Sequence, residues 1–209
     1  MKTNYQLLLD KKIKEADGVR PSLLLHACCA PCSSYVLEYL SKYFRITLFF
    51  YNPNISPRKE YDVRYEELRR LLEKMGLDGE VTFANSEYEP ERFFEIAKGL
   101  EDLPEGGERC KKCYELRLEA TAKAAASQGF DLFTTTLSIS PHKNAEWLNE
   151  IGKQLADKYG CEYLFSDFKK RGGYLRSCQL SEQYGLYRQD FCGCIYSKLK
   201  KEQASKPSH

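Results

Sequence analysis

Three short clusters of cysteine carry the chemistry this sequence can do. HACCAPC (26–32) places Cys28, Cys29 and Cys32 within five positions, directly after the apolar run Leu23-Leu24-Leu25. Cys110-Lys-Lys-Cys113 opens a helical stretch, so a spacing of three puts both sulfurs on one face, within reach of one metal centre. A helix N-terminus and two lysines favour thiolates there. Four thiolates from Cys28, Cys29, Cys110 and Cys113 suit zinc or an iron–sulfur centre. Cys28 and Cys29 are adjacent, and their side chains can diverge. They can hold different irons of one cluster, or one can bind it while the other takes a second metal or contacts substrate. Cys192-Gly-Cys194 brackets a single glycine, and a disulfide across it closes the small, strained kind of ring that is labile and redox-active. Cys161 and Cys178 read as packing, and Cys32 as a helix-start thiol near the site, not counted among its ligands.

Chemistry at sulfur also needs protons. His142, Asp190 and Tyr51 are the candidate donors, with His142 favoured at neutral pH. His26, next to the cysteine loop, reads as a hydrogen-bonding partner of the site. Arg58, Lys59, Arg64, Lys143, Lys169, Lys170, Arg171 and the run KLKK (198–201) are candidate phosphate contacts. Some of the 15 tyrosines are candidate stacking platforms for unpaired bases. Arg69 and Arg70 read as an ordinary solvated helix face.

These residues need a scaffold. The chain has 209 residues, 42% of them hydrophobic and 30% charged, which suits one domain, or one domain with an appendage. A net charge of +2 excludes any argument from global charge. Nine cysteines, an odd number, after a charged start unlike a signal peptide point to a reducing, cytoplasmic setting and against a disulfide framework. No apolar stretch is long enough to cross a membrane. Apolar runs at 21–27, 45–51, 80–86, 131–137 and 161–165 alternate with helical segments. That pattern predicts an α/β fold, a parallel sheet with helices on both faces. The expected organisation is an N-terminal helix (1–20), an α/β core with the cluster site (21–166), and a helical or irregular C-terminal segment (167–209). That last segment carries the paired cysteines and a basic, polar tail. Ligands of such sheets sit beyond the carboxyl ends of the strands, where Cys28, Asn52 and the SPHKN loop fall.

HACCAPCSS, GGERCKKCYELRL and DFCGC, together with FFYNPNISPRKEY and TTTLSISPHKN, resemble the cobalamin-independent epoxyqueuosine reductase family, QueH. The likeness spans roughly Leu23 to Tyr196. It implies an adenine-nucleotide alpha-hydrolase-like (Rossmann-like) fold and the last step of queuosine synthesis in tRNA. In that step the epoxide of epoxyqueuosine, in the anticodon loop, is reduced to the cyclopentene of queuosine. It further implies a 4Fe–4S cluster on Cys28, Cys29, Cys110 and Cys113 and a redox-active pair at Cys192 and Cys194. Tyr51, Asn52, Arg58, Lys59 and Lys143 become the candidate substrate-binding residues. An additional mononuclear iron stays open as a partner of the cluster, and the electron donor is not given by the sequence. No cobalamin is expected. No nucleotide is expected either, because the loop after the first strand reads CCAPCSS, without the glycines of a phosphate cradle. Two rival readings are an ATP-dependent tRNA sulfur-transfer enzyme on the same scaffold and a zinc-stabilised binding module.

Overall fold

The run Leu23-Leu24-Leu25, within Ser22–His26, puts leucine on both faces of a strand, so it is stable only with both sides covered. In the computed structural model, which describes residues 3–204, it is the central strand of a sheet. Chain order begins α1 (Tyr5–Ala16), β1 (Ser22–His26), α2 (Ala30–Leu40), β2 (Arg45–Phe49), α3 (Arg58–Met75) and β3 (Thr82–Ala84). It continues α4 (Pro90–Ala97), α5 (Glu108–Ser127), β4 (Leu132–Thr135), α6 (Ala145–Tyr159), β5 (Glu162–Tyr163), α7 (Gly173–Gln183) and α8 (Ile195–Ala204). The strands lie in the order β3-β2-β1-β4-β5, all parallel. This is the α/β architecture that the alternating apolar runs predict.

Successive side chains of β1 go to opposite faces. Leu23 and Leu25 join a core with residues of α1, α2 and α3, whereas Leu24 joins one with α4, α5 and α6. Connections to either side of β1 run over opposite faces of the sheet, so β1 and β4 flank the point where the strand order reverses. A crevice opens there at the carboxyl ends. Asp131 fixes the other end of the same pair: Ser22 donates its backbone N–H and its hydroxyl to Asp131 Oδ2, at 2.8 and 2.7 Å.

Several strands are shorter than their apolar runs. The run 80–86 yields Thr82–Ala84 and 161–165 yields Glu162–Tyr163, both at sheet edges where pairing partners end. Beyond β4, Thr136–Ile139 leaves the sheet as a 3-10 turn, with Thr135 Oγ1 accepting from Leu137 N–H at 3.1 Å. Among the described residues no helix is long and apolar enough to cross a membrane. The last five residues of the expected polar tail, 205–209, lie outside the described residues.

Candidate metal and thiol site

The cysteine loop follows β1 without a spacer. Ala27 is still held by the sheet, donating its N–H to Phe49 O at 3.0 Å. Cys28 and Cys29 come next, and Cys29 is the residue preceding the first turn of α2. Pro31 sits in that first turn, where a missing N–H costs nothing. Cys32 therefore returns on the same turn, and the sulfurs of Cys28, Cys29 and Cys32 all lie within 4.8 Å of one another. Thiolates bound at about 2.3 Å to one tetrahedral ion stand roughly 3.8 Å apart, and Cys28 Sγ to Cys29 Sγ is 3.8 Å. The three sulfurs are close enough to hold a metal. Hydrogen bonds from Cys29 and Cys32 hold the Cys28 thiol well below its usual value, against the effect of burial. Their donors move the other way: Cys29 is pushed up to about 12, and Cys32 is raised well above normal. Within the triad, negative charge is favoured on Cys28 over Cys29 and Cys32.

Cys110 and Cys113 lie on the first turns of α5, with Gly106 N–H donating to Cys110 Sγ at 3.3 Å. Burial pushes the Cys113 thiol up to about 12 and raises Cys110 as well. Together with Cys192 and Cys194 they line one small void, shared with Asn54, Tyr114, Lys143 and Arg117. The Cys192–Cys194 segment is fastened from outside. Arg64 donates to Cys192 O at 3.1 Å and Phe191 O at 3.4 Å, while Ser56 N–H donates to Gly193 O at 2.9 Å. Gly193 has φ +113°, and a Cβ there would meet Arg64 Nη1 at 3.0 Å and Ile55 at 3.1 Å. Only glycine suits that position.

A cavity of about 720 Å³ joins the two thiol groups. Cys28, Cys32, Cys192 and Arg117 all line it. His142, Lys143, Arg188, Asp190, Tyr174 and Glu105 complete its polar wall. Its volume falls within the range of small-molecule sites.

Other anticipated residues are placed as follows. His142 and Asp190 line the cavity. Tyr51 does not: its hydroxyl donates to Glu89 at 2.9 Å, and burial raises it above ordinary tyrosine. Asn52 is fully buried, its amide donating to Ala27 O at 2.9 Å and its Oδ1 accepting from Arg117 at 2.6 Å. Arg58 is on the exposed side of α3, paired with Asp62 at 2.7 Å, and Lys59 beside it is exposed. Lys143 is buried, its Nζ 3.1 Å from Cys192 Sγ and 3.2 Å from Glu105 Oε1. Burial works against its charge, but Cys192, Tyr114 and Glu105 together carry it well above ordinary lysine. Arg64 is 2% exposed and pairs with Glu60 at 2.7 Å, so its role is to hold the Cys192 segment rather than a phosphate. Lys169 pairs with Asp167 and Arg171 with Asp10. His26 is fully buried between Thr135 Oγ1 and Arg117, and desolvation first, then Arg117, lowers its pKa to about 3, which keeps it neutral.

Sequence reasoning left out Cys32 and Arg117. Both had a signal: Cys29-Ala-Pro-Cys32 repeats the three-residue spacing, and Arg117 falls one helical turn beyond Cys113 on the same face. Glu105, Arg188 and Gln189 had none, since only the folded loops bring them to the cavity.

Orphaned atoms test whether a metal–sulfur group fits. Among the described residues, Tyr114 Oη and Asn54 Oδ1 are buried without a hydrogen-bond partner, and both line the void among the four cysteines. A sulfur-rich, anionic group would give the phenol an acceptor. The all-sulfur donor set and its neighbouring cations, Arg117 and Lys143, fit the same kind of group.

Fold and site together define an α/β protein with a thiol-walled cavity at its strand ends. A family profile described as "Epoxyqueuosine reductase QueH" matches residues 23–200. A protein of that name from Staphylococcus epidermidis is 44% identical over 207 residues, covering 95% of this chain and 86% of the relative. One from Streptococcus pyogenes is 42% identical over 200 residues, covering 94% and 78%. One from Thermotoga maritima is 36% identical over 185 residues, covering 87% and 93%. The chain belongs to the epoxyqueuosine reductase QueH family.

Proposed function

We propose that this chain is an oxidoreductase that reduces epoxyqueuosine in tRNA to queuosine, with the cavity at the ends of β1 and β4 as its active site. The observation that carries the reading is the convergence on that cavity of a metal-competent cysteine triad and the Cys192–Cys194 pair. Family membership supplies the substrate. A sulfur-transfer enzyme or an inert zinc module is not favoured, because neither accounts for that membership.

Cys28, Cys29, Cys110 and Cys113 hold a 4Fe–4S cluster in this reading, and Cys32 is placed to take part in binding metal. When bound, such a cluster would supply electrons one at a time. The remaining work belongs to the chain. The net change is an epoxide plus two electrons and two protons, giving an alkene and water. Oxidation of the Cys192 and Cys194 dithiol to a disulfide releases two electrons and two protons, so one turn of the pair balances one turnover. Cys192 borders the cavity and Cys194 only the inner void, which suits them to relay between substrate and the buried thiols. Lys143 keeps a positive charge beside Cys192. His142, at the cavity wall, is placed to give a proton to the departing oxygen. Asn54 and Gln189 each carry, at the cavity, a buried acceptor oxygen without a partner among the described residues, which suits donors on a polar nucleoside.

The test is complementation. Cells lacking epoxyqueuosine reduction accumulate the epoxide in their tRNA. Expression of this chain is expected to restore queuosine in nucleoside digests, and a digest still holding only the epoxide contradicts the reading.

A further inference from the structure

Arg117 carries a charge that no carboxylate answers. It is 2% exposed, deep in the molecule on α5. Nη2 donates to Asn52 Oδ1 at 2.6 Å, Nε donates to His26 Nε2 at 3.3 Å, and Nη1 faces Cys113 Sγ at 4.0 Å. Asn52 is a neutral amide already committed to Ala27 O, and His26 is a fully buried imidazole whose Nδ1 meets Thr135 Oγ1 at 2.8 Å. Among the described residues no Asp or Glu oxygen is paired with Arg117, and the sulfur that its Nη1 faces is that of Cys113. A buried guanidinium surrounded by neutral acceptors is strongly disfavoured unless an anion shares its low-dielectric environment.

The contacts of Arg117 also join the two cysteine-bearing segments. Through His26 and the Asn52 bridge to Ala27 O it grips the strand end that leads into Cys28 and Cys29. Through its own helix it is rigidly spaced from Cys110 and Cys113. A planar guanidinium can serve three directions at once, whereas lysine offers a point charge.

Resting on the metal–sulfur reading above, we infer that Arg117 is a positioning residue that supplies the fixed counter-charge for an anionic metal–sulfur group held between the loop after β1 and the start of α5. Each electron added to such a group raises its negative charge, and a cation fixed nearby favours that addition. Arg117 therefore sets the reduction potential of the group.

The experiment compares the full wild-type chain with Arg117→Gln and Arg117→Lys, each assembled with iron and sulfide without oxygen. Iron and sulfide per chain, circular dichroism and the midpoint potential from a dye-mediated titration are the readouts. Arg117→Gln is expected to hold the group at a clearly more negative potential, with Arg117→Lys close to wild type. A Gln variant that cannot assemble the group while the Lys variant can also supports the inference. A Gln variant with the wild-type potential overturns it. So does an equal shift in both variants, or a failure of both folded variants to assemble, since contacts rather than charge would then be responsible. If Arg117→Gln does not fold, Arg117→Lys decides: near-wild-type potential upholds the charge role, and a folded Lys variant without the group removes it. A wild-type chain that takes up no iron and sulfide sinks the underlying reading instead, and that result is seen in the wild type alone.

Discussion

Lys143 Nζ lies 3.1 Å from Cys192 Sγ, in a side chain almost completely removed from solvent. Glu105 takes the other side of the same ammonium at 3.2 Å. Lys143 Nζ donates to that sulfur, and a hydrogen bond to a charged group is worth about 1.5–3 kcal/mol. Lys143→Met is therefore expected to slow alkylation of Cys192 by iodoacetamide by roughly tenfold or more at neutral pH. Peptide mapping of the labelled protein checks it. An unchanged rate in a folded variant shows that the contact has no bearing on the reactivity of Cys192.

Cys32 completes a triad whose sulfurs lie within 4.8 Å of one another. Replacing it with Ser is expected to lower the iron bound per chain, with the fold intact by circular dichroism. Cys178→Ser is the matched control, because Cys178 lies on α7 outside the cavity lining and outside the triad. Equal iron in both variants would leave Cys32 as packing.

Asp131 links stability to pH. Its Oδ2 accepts two hydrogen bonds from Ser22, which hold its carboxyl below the usual value of 3.8. A carboxylate favoured in the folded state adds stability above its unfolded pKa and loses it as pH falls through the folded one. Asp131→Asn is thus expected to cost about 1 kcal/mol at neutral pH, a modest figure because the group is exposed and screened. The difference should shrink as pH drops below about 4. Urea denaturation at pH 7 and pH 3.5 reads it, and a gap that widens on acidification contradicts the assignment.

The sheet was legible in sequence because short apolar runs alternate with helical segments, the pattern of a parallel sheet covered on both faces. Its edges were less so: the runs at 80–86 and 161–165 outlast the strands, since pairing depends on a neighbour that local composition does not reveal. Within the site, vicinal and three-spaced cysteines declare themselves by position. Their grouping does not. Cys32 completes a close triad with Cys28 and Cys29, while Cys110 and Cys113 share a void with Cys192 and Cys194, almost eighty residues onward. Lys143 is a similar case. In sequence it is one more cation able to meet a phosphate, and only the folded loops show it buried between Cys192 and Glu105.

The central claim is reductive deoxygenation at this cavity, and the most direct measurement is anaerobic incubation of the purified, iron–sulfur-loaded chain with epoxyqueuosine-containing tRNA and a strong reductant. Nucleoside digestion is expected to show queuosine accumulating with wild type, and loss of turnover with Cys28→Ser or Cys110→Ser. Epoxide left unreacted by a wild-type chain whose cluster is intact would contradict the account.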